Sequence, residues 1–226
     1  MSSVSDCDEL PYGMYSAAEE RANRLTHGVG FILSICGGMY LLATALRGHG
    51  WERLLACVPY VVSLSAVYAM STLSHVRFDE RRRALFRSLD QGFIYLLIAG
   101  SFTPLAVAYL PVSVCWSILG TMWAIALVGF AAKVFFSHQV NAVSVWVYVL
   151  LGWMPILATP WLMVSVPSSG LMLGLAGGLC YTLGTVFLVF DNRVAYFHAL
   201  WHLLVMAGST LHFLTNLWYV ACAPIA

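Results

Sequence analysis

Two histidines one helical turn apart, His198 and His202 in HALWH, stand in a stretch that is otherwise almost wholly hydrocarbon. At i and i+4 they share one helix face, the spacing by which a helix presents two imidazoles to a single metal ion. A third imidazole, His75 at the end of STLSH, comes from a distant part of the chain. Three neutral ring nitrogens would leave the fourth tetrahedral position of a zinc ion to water, and zinc can lower the pKa of such a water to about 7. Asp90, in SLDQG, is a carboxylate that could hold or accept the water's proton. Ser71, one turn before His75, either meets that water or Asp90 or bonds back to its own helix carbonyl. Ala199 occupies the position at which the helix of a zinc metalloprotease carries glutamate, so a general base must come from another helix. A plainer reading suits the other histidines. His49 and His138 read as interfacial residues with the ring at headgroup level, and His212 as a hydrogen-bonded contact between helices. For the His198–His202 pair, two imidazoles facing one way in hydrocarbon must find partners, and a metal and interhelical hydrogen bonds are both open to them.

The elements that must position these residues follow from composition. Of 226 residues, 61% are hydrophobic and only 9% charged, and mean hydropathy is +0.82. That excludes a water-soluble domain and implies an integral membrane protein. Net charge is +1, and nothing in it points to nucleic acid. The opening MSSVSDCDELPYG lacks the basic patch and short apolar core of a cleavable signal, so the first span is expected to act as its own insertion signal. Cys7, Cys36, Cys57, Cys115, Cys180 and Cys222 are scattered without a CxxC pair and read as small packing residues.

A membrane helix needs about 20 mostly apolar residues, so the gaps between charges count the spans. Arg24 to Arg47 and Arg53 to Arg77 hold one each. Asp90 to Lys133 holds two, with a turn at Leu110–Ser113, and Lys133 to Asp191 two more, broken near Ser165–Gly170; the segment after Arg193 makes a seventh. The expected fold is an all-α bundle of seven transmembrane helices. Arginine and lysine collect on one side of it, at Arg21, Arg24, Arg77, Arg81, Arg82, Arg83, Arg87, Lys133 and Arg193, against Arg47 and Arg53 on the other. The positive-inside rule then puts the N-terminus in the cytoplasm and the C-terminus outside. The basic loop RFDERRRALFR reads as a topological anchor beside anionic headgroups. Residues 1–18 form a polar tail and 19–226 a single membrane domain.

With topology assigned, the unusual polar residues share one depth. His75 closes the second span, Asp90 opens the third, His198 and His202 begin the seventh, and Glu20, Asn23 and His27 enter the first at i, i+3 and i+7 along one stripe. All lie near the cytoplasmic boundary. Glycine pairs Gly37–Gly38 and Gly177–Gly178 are expected to permit close helix approach. Ser101 and Thr103 are expected to help satisfy the backbone around Pro104, and Trp51, Trp116, Trp161 and Trp218 to anchor the interfaces.

The ordered blocks EERANRLTHGVG (19–30), STLSH (71–75), SLDQGFIYLLIAGSFTP (88–104) and HALWHLLVMAGSTLH (198–212) resemble the signatures of the hemolysin III proteins, the bacterial branch of the progestin and adipoQ receptor family. The resemblance covers the chain from about Glu19 onward. It implies that His75, His198 and His202 bind zinc, that Asp90 is associated with the zinc-bound water, and that Ser71 lies beside it. Ser74 and Gln91 depart from the residues common in bacterial members, an aromatic and a histidine, without touching a ligand position. The resemblance further implies a multi-pass protein of the plasma membrane, or inner membrane if bacterial, whose partners are membrane lipids. Three functions are open: a zinc-dependent hydrolase of lipid amides, similar to ceramidases; a non-catalytic sensor or receptor stapled by zinc; and a pore-forming cytolysin.

Overall fold

The computed structural model describes residues 15–136 and 145–223. Cys7, His138 and most of the polar tail lie outside these residues, as does the side chain of His49. The described chain is helical throughout: α1 (Ala17–His49), α2 (Trp51–Ser74), α3 (Glu80–Tyr109), α4 (Val112–Phe135), α5 (Val145–Trp153), α6 (Thr159–Ser165), α7 (Ser168–Val189) and α8 (Phe197–Asn216). A 3-10 stretch, Met154–Ala158, joins α5 to α6 into one crossing, and a π-helical turn, Leu217–Ala221, continues α8. Among the described residues, seven helices are long and apolar enough to cross a membrane. The fold is a seven-span membrane bundle, as the charge gaps predict.

Local chemistry sets the helix ends. Ser16 caps α1 in a capping box with Glu19, and Asp79 caps α3 through the Arg82 N–H. Pro111 and Pro167 immediately precede α4 and α7, close to the turns expected at Leu110–Ser113 and Ser165–Gly170. Gly50, at φ 74°, allows the reversal between α1 and α2. The fifth crossing is broken because Pro155 and Pro160 deny it two backbone donors. One boundary differs from expectation. Asp90 does not open its helix; α3 starts ten residues earlier, because the arginine-rich segment is itself helical and carries its own cap.

α3 is the most enclosed span, touching α2, α4, α5, α6 and α8, while α1 bridges α2 and α8. Apolar side chains such as Val112, Trp116, Val128 and Val164 face outward, whereas Asn23, His27, Ser71, His202 and Asn216 are buried. That inversion suits hydrocarbon outside and hydrogen bonding within. Close approach is purchased locally by glycine. A Cβ on Gly38 would lie 2.5 Å from Val61, and one on Gly177 would lie 2.1 Å from the His212 ring; Gly178, by contrast, faces open space and makes no close approach. His212 is the expected interhelical contact, its Nε2 donating to the Gly174 carbonyl at 3.1 Å. Around Pro104, Thr103 donates to the Ala99 carbonyl and Ser101 to the Ile98 carbonyl. Trp51, Trp116, Trp161 and Trp218 lie on the outer surface, all toward the bundle end opposite the histidines. Of the cysteines, Cys57 and Cys115 are core residues, whereas Cys36 and Cys222 are exposed, so the packing role does not extend to them.

Candidate metal centre

His75 ends α2 as its C-cap, and His198 and His202 occupy the first two turns of α8. Their candidate ligand nitrogens all lie within 4.8 Å of one another. Ring centroids are 5.1 Å apart for His75 and His198, 5.3 Å for His75 and His202, and 4.5 Å for His198 and His202. Residues more than 120 positions apart are thus brought to one point by the lateral neighbours of α1, which packs on both α2 and α8.

Each imidazole is held from behind. The Nδ1–H of His75 donates to Glu20 Oε2 at 2.7 Å, while Arg83 binds the other Glu20 oxygen. The Nδ1–H of His198 faces Asp191 Oδ2 at 2.8 Å, and Tyr15 donates its hydroxyl to the same oxygen at 2.6 Å. The Tyr15 oxygen is also 2.9 Å from that Nδ1. Thr26 spends its one proton on the Ala22 and Asn23 carbonyls, so at 3.1 Å from His202 Nδ1 it accepts rather than donates. All three rings therefore turn Nδ1 to an outer partner, which leaves Nε2 as the atom free for the centre. This is the arrangement by which outer partners fix the tautomer and aim of metal-ligating histidines.

The electrostatics agree. Burial pushes the His75 imidazole below its ordinary value, outweighing the Glu20 hydrogen bond that acts the other way, so the ring is neutral. Burial would raise Asp191, but its bonds from His198 and Tyr15 more than offset that and hold the carboxyl below the usual range. The Tyr15 phenol is pushed upward by burial and by Asp191, which keeps it a donor. His75 Nε2 is buried with no hydrogen-bond partner among the described residues. A buried acceptor left that way is costly, and a cation shared with the other two rings would satisfy it. The residues fit a metal ion.

The other expected site residues lie close by in two groups. Asp90 lies beside Ser71, which is one turn before His75 on α2, and stands outside the three-histidine group. Asn23 and His27 sit beneath the histidines: the His27 ring stacks on His202 at 3.5 Å and meets the edge of Tyr68. The Asn23 amide is buried with neither atom partnered among the described residues. Glu20 of the same stripe acquires a definite task, bridging Arg83 and His75. Sequence reasoning missed Tyr15, Thr26 and Asp191. Their partners are 183, 176 and 7 residues away, and only Asp191, near in sequence to HALWH, left a local trace.

One further contact positions α8. Tyr196, its N-cap, adopts a left-handed backbone at φ 64°, a conformation costing a non-glycine residue about 1–2 kcal/mol. Its N–H donates to Glu19 Oε1 at 2.9 Å, so the start of α1 holds the turn from which His198 projects.

Fold and site together define a class: a polytopic helical membrane protein with a three-histidine, metal-compatible centre buried at one end of the bundle. Residues 15–213 match the family described as Haemolysin-III related, and the chain belongs to that family. It is 36% identical over 202 residues to Hemolysin-3 of Bacillus cereus, covering 89% of this chain and 92% of that one. It is 32% identical over 212 residues to the Hemolysin-3 homolog of Bacillus subtilis (strain 168), covering 93% and 99%. A human relative, monocyte to macrophage differentiation factor, is 28% identical over 219 residues, covering 91% of this chain and 86% of its own.

Proposed function

We propose that this protein is a zinc-dependent hydrolase of membrane lipids, acting on an amide of the ceramide type. The observation that carries the reading is the set of three histidines whose Nδ1 atoms are all turned to outer partners and whose candidate ligand nitrogens lie within 4.8 Å of one another. Three ligands rather than four are the mark of a catalytic zinc site. Zinc held by His75, His198 and His202 supplies activation of water and polarisation of a carbonyl at neutral pH. Asp90 takes the proton of the attacking water and returns it to the departing amine, and Ser71 holds the Asp90 carboxyl in place. Glu20, Asp191 and Thr26 keep the imidazoles aimed, with Nδ1 turned away from the centre. The arginines of α1 and α3 at the same end support a cytoplasmic placement of this centre in a plasma or bacterial inner membrane, with residues 19–226 acting as one domain.

The test is metal content and turnover on one preparation. Purified protein should carry one zinc, lost in His202→Ala, and should release fatty acid from a panel of lipid amides and esters, with release lost in His198→Ala. A preparation that keeps stoichiometric zinc yet releases nothing from any lipid refutes the hydrolase. That outcome supports a second reading, favoured by the ligands coming from both α2 and α8: a sensor in which zinc staples two helices. The name of the bacterial relatives refers to haemolysis. A cytolytic pore would require conductance in reconstituted bilayers that a point substitution abolishes.

A further inference from the structure

The charge at the mouth of the metal centre does not close on itself. Arg83 and Arg87 lie at i and i+4 on α3, hence on one face. The carboxylate facing them, Glu20, has both oxygens engaged, one by Arg83 and one by His75 Nδ1. Asp191, the next acid at this end, gives its Oδ2 to Tyr15 and His198. Arg87 is half-buried, makes no salt bridge among the described residues, and yet its charge is felt at Tyr15, Glu20 and His75. The Nε–H of Arg83 is buried with no partner among the described residues. Arg83 thus holds one oxygen of a fully occupied carboxylate and keeps a buried, unspent donor of its own, while Arg87 beside it has no carboxylate partner among the described residues. Planar guanidinium forks of this kind match the oxygens of a phosphate or carboxylate. The arginines lie in the first two turns of a membrane-spanning helix, the level at which lipid headgroups meet the bundle.

We infer that Arg87 and the Nε–H of Arg83 form a subsite for the phosphate of an acidic phospholipid headgroup at the mouth of the three-histidine centre. It depends on the arginine pair alone and stands whether or not the centre holds zinc or hydrolyses anything. It differs from the general attraction of a basic surface to anionic membranes. Arg81 and Arg82 are exposed, Arg82 pairs with Asp79, and both lie on a different face of the helix from Arg83 and Arg87.

Full-length protein in nanodiscs of phosphatidylcholine, titrated with phosphatidylglycerol or phosphatidic acid and read by native mass spectrometry, tests the subsite. Wild type should retain the acidic lipid over phosphatidylcholine. Arg87→Gln should lower that retention by about tenfold, the size of a charge-assisted hydrogen bond, while Arg87→Lys keeps much of it and Arg81→Gln, with the same change of net charge, keeps all of it. Zinc content and thermal midpoint, measured on the same samples, separate loss of the subsite from loss of the fold or of the metal. No preference in wild type, or equal loss in Arg81→Gln and Arg87→Gln, overturns the inference in favour of a diffuse basic surface. Displacement of the lipid by millimolar inorganic phosphate, with equal binding of phosphate in detergent, overturns the lipid assignment and leaves a free-anion site.

Discussion

Replacing Glu20 with alanine should weaken zinc binding by about 10- to 100-fold, or about 1.4–2.7 kcal/mol, the range found when a partner behind a metal-ligating histidine is removed. The worked basis is a single contact. Glu20 Oε2 accepts from His75 Nδ1 at 2.7 Å and is itself fixed by Arg83. Without the carboxylate, the His75 ring can turn and can carry its proton on Nε2, so each binding event must first restore both orientation and tautomer. Glu20→Gln keeps an oxygen in place but loses the charge, and should fall at the lower end of the range. The assay is competition with a chromophoric chelator on detergent-purified protein, with His75→Ala as the reference for loss of a ligand. Thermal midpoints of the metal-free variants check that the bundle is intact. Affinity within twofold of wild type in Glu20→Ala would refute the reasoning. So would a loss as complete as in His75→Ala with an unchanged apo midpoint, since that would make Glu20 a ligand.

Other outcomes follow from the same contacts. Asp191→Asn and Thr26→Val should each weaken zinc binding by about tenfold through His198 and His202, without changing metal stoichiometry at saturation; elemental analysis alongside the chelator assay reads both. Stripping the metal should lower the thermal midpoint, because an ion present at about 100 times its dissociation constant stabilises by about 2.7 kcal/mol, and an unchanged midpoint after chelation would deny that the ion links α2 to α8. Gly177→Ala should destabilise the bundle by about 1–3 kcal/mol by forcing apart α7 and α8, whereas Gly178→Ala should be close to neutral; equal effects in a denaturant titration would contradict the described crossing. Tyr68→Phe removes a bond to Ser209 at 2.9 Å and should cost about 0.6 kcal/mol, typical of hydrogen bonds between membrane helices.

What could be read from the residues alone was whatever has a period or a charge. Seven spans follow from the gaps between arginines and acids, because ionised groups are excluded from hydrocarbon. The histidine set follows from i, i+4 spacing on α8 and a shared depth with His75. What could not be read depends on lateral contacts. No local pattern says that Tyr15 reaches Asp191 across 176 positions, or that Thr26 turns a lone pair rather than a proton to His202. The start of α3 at Glu80 is not legible from hydropathy, which sees only the apolar part, because a charged run can be helical outside the apolar region. Gly178 was paired with Gly177 on composition, yet successive residues on a helix are about 100° apart and only one of them can face α8.

The left-handed Tyr196, tied to Glu19, has a bearing on how the protein is made. The chain emerges with α1 first and α8 last, and the histidine set draws one member from α2 and two from α8, while the residues behind them come from both ends of the chain. A nascent chain stalled before residue 198 holds one of the three histidines of the set. The three histidines therefore come together only when α8 inserts and its first turn is drawn against α1, so an ion bound there would report that both helices are in place.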